Sequence, residues 1–353
     1  MKDSENKPLG YLAEEKLEEL LDILSQRALL YVPTKLEKER CEFLPYGTGD
    51  LDLDSVNTGL PPKNFVFPHS SSLFSWELPL DNGAKLEKEE QEGDRILFGV
   101  RSCDARAIAI LDELFLEEIE DCPYREKRDG LTLIGMACNS CETTCFCSVF
   151  EDLSPGKSGD CDLYLSPVEG GYIVETPSSK GKDLVPYFQN LLSQCPGSAN
   201  SQAKEREEKT IEEQSKVLSP SFEVSKSIEA LDREEAFQSD YWKTLSERCL
   251  GCRICTYLCP TCHCYEIRDE GCSTKGKRYR IQDSCMSEEF TAHASGHNPR
   301  SEHYKRWRQR CFHKFSYFPK NFDTPLCVGC GRCTLHCPVG IDLLEILKEV
   351  TSI

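Results

Sequence analysis

Cys249-Leu250-Gly251-Cys252-Arg253-Ile254-Cys255-Thr256-Tyr257-Leu258-Cys259-Pro260 and Cys327-Val328-Gly329-Cys330-Gly331-Arg332-Cys333-Thr334-Leu335-His336-Cys337-Pro338 decide how this chain reads. Both follow C-x2-C-x2-C-x3-C-P. Three cysteines on a tight loop wrap one face of an iron-sulfur cube, and the fourth opens a short helix and points the other way. Zinc motifs pair their cysteines two and two, without the trailing proline. Two independent copies argue against chance.

This three-plus-one spacing is that of bacterial-type two-cluster ferredoxins, in which the fourth cysteine of each run ligates the other run's cluster. The expected ligand sets are therefore Cys249, Cys252, Cys255 and Cys337 for one [4Fe-4S] cluster. Cys327, Cys330, Cys333 and Cys259 hold the second.

With 353 residues the chain has room for two or three domains, and its 22 cysteines are too thinly spread for a small disulfide scaffold. Residues 1–10 are charged and lack the apolar core of a signal peptide. No stretch approaches the roughly 18 consecutive apolar residues of a membrane helix. These features predict a chain of a reducing, anaerobic cytoplasm, without membrane insertion. The net charge of −18 argues against nucleic acid as a partner. The charge is uneven: residues 275–320 hold 11 Lys and Arg against 4 Asp and Glu, a local +7 that leaves −25 elsewhere.

The predicted fold is an α/β N-terminal domain (1–195), a polar linker (196–238) and a C-terminal, mainly α, bacterial-type dicluster ferredoxin domain (239–353). A long insertion (265–326) separates the two cysteine runs. In the N-terminal part, the leucines within 11–32 read as an amphipathic helix ended by Pro33. Strands are expected at 64–67, 95–100 and 131–137, with a helix over 105–120 capped by Asp104. Segments 163–167 and 172–175 read as a hairpin. Linker residues 203–216 have some helical character, and 341–350 form a closing helix that packs over the clusters.

Other cysteines keep specific company. Cys103 lies between a strand and a helix, where the helix dipole lowers a thiol pKa. Cys138 ends the next strand, and Cys141, Cys145 and Cys147 follow in one loop. Open α/β sheets place their sites beyond strand C-termini. Cys103, Cys138, Cys145 and Cys147 together suggest a third cluster, against reduced buried thiols or a redox-active disulfide. Cys262, Cys264 and Cys285 suit hydrogen bonding to cluster sulfur, or a further metal that lacks a clear fourth ligand. Arg300, Lys305, Arg306, Arg308, Arg310 and Lys314 interleave with aromatics. They read as offsetting cluster charge and docking an acidic partner.

The motifs at 98–110 (FGVRSCDARAIAI), 144–147 (TCFC), 242–264, 283–285, 308–315 (RQRCFHKF) and 327–341 (CVGCGRCTLHCPVGI) occur in a specific order. Over nearly the whole chain they resemble the iron-sulfur β subunit of archaeal sulfhydrogenases and the corresponding iron-sulfur chain of anaerobic sulfite reductases. Gln282, where tryptophan is common, and the extra Cys141 depart from that pattern, as does the longer 196–238 segment. The resemblance implies a subunit without substrate chemistry of its own. It would relay electrons between a flavoprotein subunit binding FAD and NAD(P) and a terminal hydrogenase, sulfite reductase or heterodisulfide-reductase-type unit. The chain itself carries no G-x-G-x-x-G after a strand and no Walker run. Two other readings compete with it. One is a self-contained reductase using Cys103 and the 138–147 loop, and the other a redox sensor that binds nucleic acid through the basic segment.

Overall fold

A computed structural model describes residues 8–37, 40–79, 83–88, 93–117, 119–150, 153, 155–156, 158–216, 218 and 222–353. The start of the charged N-terminal stretch, residues 1–7, lies outside the described residues. Eight strands form the larger sheet in the order Leu192–Ser193, Gly10–Ala13, Gly171–Glu175, Leu163–Val168, Leu131–Met136, Arg95–Val100, Leu29–Lys35 and Cys41–Pro45. The four from Leu163–Val168 to Leu29–Lys35 run parallel, and the flanking strands are antiparallel.

Arg95–Val100 and Leu131–Met136 are buried at every position, as strands covered on both faces must be. Ile96, Phe98, Ile134 and Met136 pack with the Leu17–Ser25 helix on one face. Leu97, Val100 and Leu133 pack with the Ser102–Leu116 helix on the other. Between Phe98 and Val100 the ladder slips, at Gly99 with φ +83°. A Cβ at Gly99 would stand 2.9 Å from Pro33, so only glycine fits this bulge. The bulge turns the chain into Arg101–Asp104 at the strand's C-terminal end.

Several expectations change. Segment 11–32 is strand, helix and strand rather than one helix. Leu17, Leu20, Leu21 and Leu24 do line a helix, each burial contributing about 1.5–3 kcal/mol, but Leu12 pairs in a strand and Pro33 sits inside another. Over so few residues the two hydrophobic periods overlap. Segment 64–67 is no strand: Pro62–Phe65 is a 3-10 turn, begun by two prolines with φ already fixed. The stretch read as a linker with helical character at 203–216 does form a helix there, Ala199–Ser215, and also the helices Val224–Leu231 and Glu234–Gln238. These helices pack: Leu231 and Ala236 are buried with Trp242 and Leu347, and Ser227 donates to the Leu347 carbonyl at 2.8 Å.

The insertion is tied to the N-terminal half. Tyr265–Gly271 and Lys275–Gln282 form a hairpin whose second strand pairs antiparallel with Ser70–Glu77, and Lys85–Lys88 completes a four-stranded sheet. The remaining C-terminal elements are helical, ending in Leu343–Val350, where Asp342 accepts from the Leu344 N–H as the helix cap. Cys103, Phe146 and Cys147 share one core with Trp242, Phe315 and Leu347, so the two halves of the sequence close around common contacts.

Candidate metal centres

The two cysteine runs adopt the same backbone. In the first, Gly251 and Arg253 take φ of +68° and +66°; in the second, Gly329 and Gly331 take +62° and +74°. Each loop then enters a one-turn helix, Ile254–Tyr257 or Arg332–Leu335. Alternating left- and right-handed residues turn successive N–H groups inward, making a concavity suited to an anion. Arg253 takes this conformation with its side chain partly exposed and 3.5 Å from Glu289. Gly331 could not be replaced: its Cβ would lie 2.4 Å from the Thr144 carbonyl.

Cys249, Cys252, Cys255 and Cys337 line one cavity, bordered also by Cys333 and Arg310, whose wall is chiefly Leu250, Met286, Trp307, Val339, Ile341 and Ile346. The Gly251 N–H donates to Cys249 Sγ and the Ile341 N–H to Cys337 Sγ, both at 3.3 Å. The closing helix supplies Leu343 and Ile346 to the cavity wall. On the other side Cys259 neighbours Cys327, Cys330 and Cys333 closely enough that its charge raises their thiols, after the larger effect of burial. Cys330 and Cys327 are pushed up to about 12 and Cys333 to about 11. Among the described residues, no three His, Cys, Asp or Glu side chains gather tightly enough to hold a single ion. Four thiols around a larger hollow, fed by backbone N–H donors, suit a cube of several irons better than one zinc. The residues present therefore fit the clusters that the spacing implies.

A cationic shell surrounds Cys259. Cys262 donates to the Cys259 sulfur, which lowers Cys259 and raises Cys262. Lys314 Nζ lies 3.3 Å from Cys259 Sγ, and Arg310 Nη1 lies 3.4 Å from Cys262 Sγ. Both are presented from one continuous helix, His303–Phe312, which passes into the π-helical turn His313–Tyr317. Part of the basic segment thus faces inward, while Lys275, Lys277 and Lys320 stay exposed. Arg306, expected on a docking surface, is buried and donates to the Arg300 and Ser301 carbonyls. Arg308 stacks 3.6 Å over the Phe237 ring. Cys264 and Cys285 form a separate hydrogen-bonded pair.

The N-terminal cysteines converge beside the second run. The Phe146 N–H donates to the Gly329 carbonyl at 2.8 Å, and a Cβ on Gly329 would stand 2.6 Å from the Cys147 nitrogen. Asn57 bridges the loops by donating to the Cys330 carbonyl at 2.9 Å. Cys103, Cys145 and Cys147 are buried, and Cys138 and Cys141 partly so; burial, then the negative charge of Glu213, raises the Cys141 thiol. Gln214 Nε2 lies 3.3 Å from Cys147 Sγ. Burial pushes Cys147 up to about 12, and Cys138 and Cys330 add to the rise. Cys103 corrects the helix-dipole expectation: burial, then Asp104, raises its thiol well above the usual range. Asp104 does not cap its helix either. It forms a two-pronged ion pair with Arg332, 2.7 Å on each arm, with both side chains buried.

Lys63, Asn57, Gln214 and the Asp104–Arg332 pair were not expected from the sequence. Arg332 stood in plain view within the second run, but its partner lies 228 positions away. Lys63 carries no local signal.

Residues 248–341 match the 4Fe-4S dicluster domain family. The chain is 34% identical over 309 residues to Sulfhydrogenase 2 subunit beta of Pyrococcus furiosus, covering 85% of this chain and 86% of that protein. The chain belongs to this family of iron-sulfur beta subunits. It is also 22% identical over 279 residues to the F420-dependent formate dehydrogenase subunit beta of Methanocaldococcus jannaschii, covering 79% of this chain and 57% of that longer protein. This beta subunit is therefore an iron-sulfur electron-transfer subunit with two [4Fe-4S] clusters, on a mixed α/β fold with a C-terminal dicluster domain. Among the described residues, no helix is long and apolar enough to cross a membrane.

Proposed function

We propose that this subunit relays low-potential electrons between a flavoprotein subunit that binds FAD and NAD(P) and a terminal redox unit of hydrogenase, sulfite reductase or heterodisulfide-reductase type. It would do so in a cytoplasmic complex. The observation that carries the reading is the pair of matching loops, with Cys337 lining the same cavity as Cys249, Cys252 and Cys255. Cys249, Cys252, Cys255 and Cys337 would hold one cluster, and Cys327, Cys330, Cys333 and Cys259 the other. Once bound, each supplies reversible one-electron transfer.

The chain's own residues prepare that role. The Gly251 and Ile341 N–H groups stabilise thiolate charge on Cys249 and Cys337. Trp307, Met286 and the closing helix exclude water from the first-run cavity. Cys252 remains exposed beside Leu250, which is 69% exposed, and this apolar rim suits a subunit contact. Cys103, Cys138, Cys145 and Cys147 would hold a third cluster next to Cys330, with Gln214 hydrogen-bonded to Cys147. The division into an α/β unit (1–195) and a ferredoxin unit (239–353) then reflects two cluster-bearing parts in contact. The names of the relatives support the assignment, since both are beta subunits, one of a sulfhydrogenase and the other of a formate dehydrogenase.

Anaerobic purification of the native complex, with its subunits identified by mass, tests the proposal. A flavin-containing chain and a second redox chain should co-purify. Isolation of a lone subunit that reduces a small substrate from a dye donor would replace this reading with the self-contained reductase.

A further inference from the structure

Three cations are sealed inside the chain near Cys259 and Cys262. Lys63 is 0% exposed, and Arg310 and Lys314 are each 2% exposed. They arrive from separate elements: the Pro62–Phe65 turn, the His303–Phe312 helix and the π-helical turn after it. Lys314 Nζ donates to the Leu326 carbonyl at 2.7 Å and Thr261 Oγ1 at 3.1 Å, besides its 3.3 Å approach to Cys259 Sγ. Arg310 donates to the Cys255 carbonyl at 2.7 Å and to Cys262 Sγ at 3.4 Å. Lys63 Nζ donates to the Cys262 carbonyl at 2.7 Å.

Among the described residues their partners are carbonyls, a hydroxyl and cysteine sulfurs, with no carboxylate. A buried charge without a counter-charge is strongly destabilising. The anion that balances this group must therefore lie on the sulfur side, at Cys259 and its neighbours. The first-run cavity is built differently. Arg310 and Arg253 border it too, Arg253 with the Glu289 carboxylate 3.5 Å away, but neither lysine does, and the rest of its wall is chiefly apolar.

We infer that Lys314, seconded by Lys63, makes the two clusters unequal by holding the one at Cys259, Cys327, Cys330 and Cys333 at the higher reduction potential. The inference rests on the ligand assignment proposed above. A cluster gains negative charge on reduction, and a fixed cation in a poorly screened interior stabilises the more negative state. Lys314 Nζ lies 3.3 Å from the Cys259 sulfur, whereas Lys63 reaches only a backbone carbonyl and its burial works against its charge. Lys314 therefore has the larger effect. Both act as positioning and charge-compensating residues, since neither is a ligand.

The test is an anaerobic redox titration of the full chain, with each cluster followed by electron paramagnetic resonance. Wild type should show two separate midpoints for the ferredoxin-type clusters. Lys314→Met should lower the higher midpoint, leaving the lower one and the iron and sulfide contents unchanged. Lys314→Arg, which keeps the charge, should restore it, and Lys63→Met should shift the same midpoint in the same direction by less. An unmoved midpoint in Lys314→Met overturns the inference, and so does an equal shift of both clusters. Loss of iron in Lys314→Met that Lys314→Arg does not rescue also overturns it, because the lysine would then be packing rather than tuning. Combining Lys314→Met with Cys327→Ser or Cys249→Ser identifies the shifted cluster. If the shifted signal survives Cys327→Ser and is lost in Cys249→Ser, the ligand assignment fails while the cation effect stands.

Discussion

Replacing Asp104 by alanine should unfold this subunit more readily than any other single exchange at a non-cysteine position in the site. The Arg332 guanidinium is 0% exposed, and its strongest partners are the two Asp104 oxygens at 2.7 Å. What remains after substitution is the Thr58 carbonyl at 2.9 Å and a longer contact to the Thr58 hydroxyl. Removing one partner of a buried ion pair costs about 3–5 kcal/mol, because the other charge stays buried. Asp104 also lies in the first turn of its helix, where an acidic side chain adds about 0.3–1 kcal/mol. At a urea slope of about 3 kcal/mol per molar, the unfolding midpoint should fall by about 1–1.7 M. Fluorescence of the fully buried Trp242 reports the transition. Arg332 stands between Cys330 and Cys333, so loss of the second-run cluster should accompany unfolding. The double variant Asp104→Leu/Arg332→Met should recover most of the loss, since an apolar pair of similar volume removes the stranded charge. A midpoint shift below about 0.3 M for Asp104→Ala, equivalent to about 1 kcal/mol on that slope, would refute the reasoning.

Cys259→Ser should damage the cluster of the second run and Cys337→Ser that of the first; spectra showing each run keeping its own fourth ligand would reverse the assignment. Cys145→Ser should lower iron and sulfide by one cluster's worth while both ferredoxin-type signals persist, and unchanged iron would remove the third cluster. Hydrogen bonds from Thr274 hold the exposed Cys272 thiol down to about 7, so its thiolate predominates above that pH and is lost as pH falls below it. Peptide mapping after brief alkylation should find Cys272 labelled ahead of the other cysteines, with labelling declining below pH 7; a flat profile counts against it.

The cysteine runs were legible because ligand spacing is a local constraint: each loop needs its own left-handed turns, and Gly329 and Gly331 announce them. The parallel strands at 95–100 and 131–136 were legible as continuous apolar runs. The burial of Arg306, Arg310 and Lys314 within the basic segment was not. Its charge pattern suits a solvated face equally well, and the buried sulfur that draws Arg310 and Lys314 inside is distant in sequence. The 196–238 stretch misled because its helices bury few but well-placed residues, such as Leu231 and Ala236, within a polar composition. Lys63 shows the limit most clearly. A single lysine after two prolines has no periodicity to read, yet its ammonium ends within hydrogen-bond reach of a residue 199 positions on.

The central claim is that electrons cross between subunits through this chain. In the native complex, NAD(P)H should reduce both the flavin and this subunit's iron-sulfur signals, and oxidised terminal acceptor should discharge them. Rebuilding the complex with Cys259→Ser should leave flavin reduction intact while turnover at the terminal unit falls at least tenfold. Undiminished turnover with the second-run cluster absent would contradict the account.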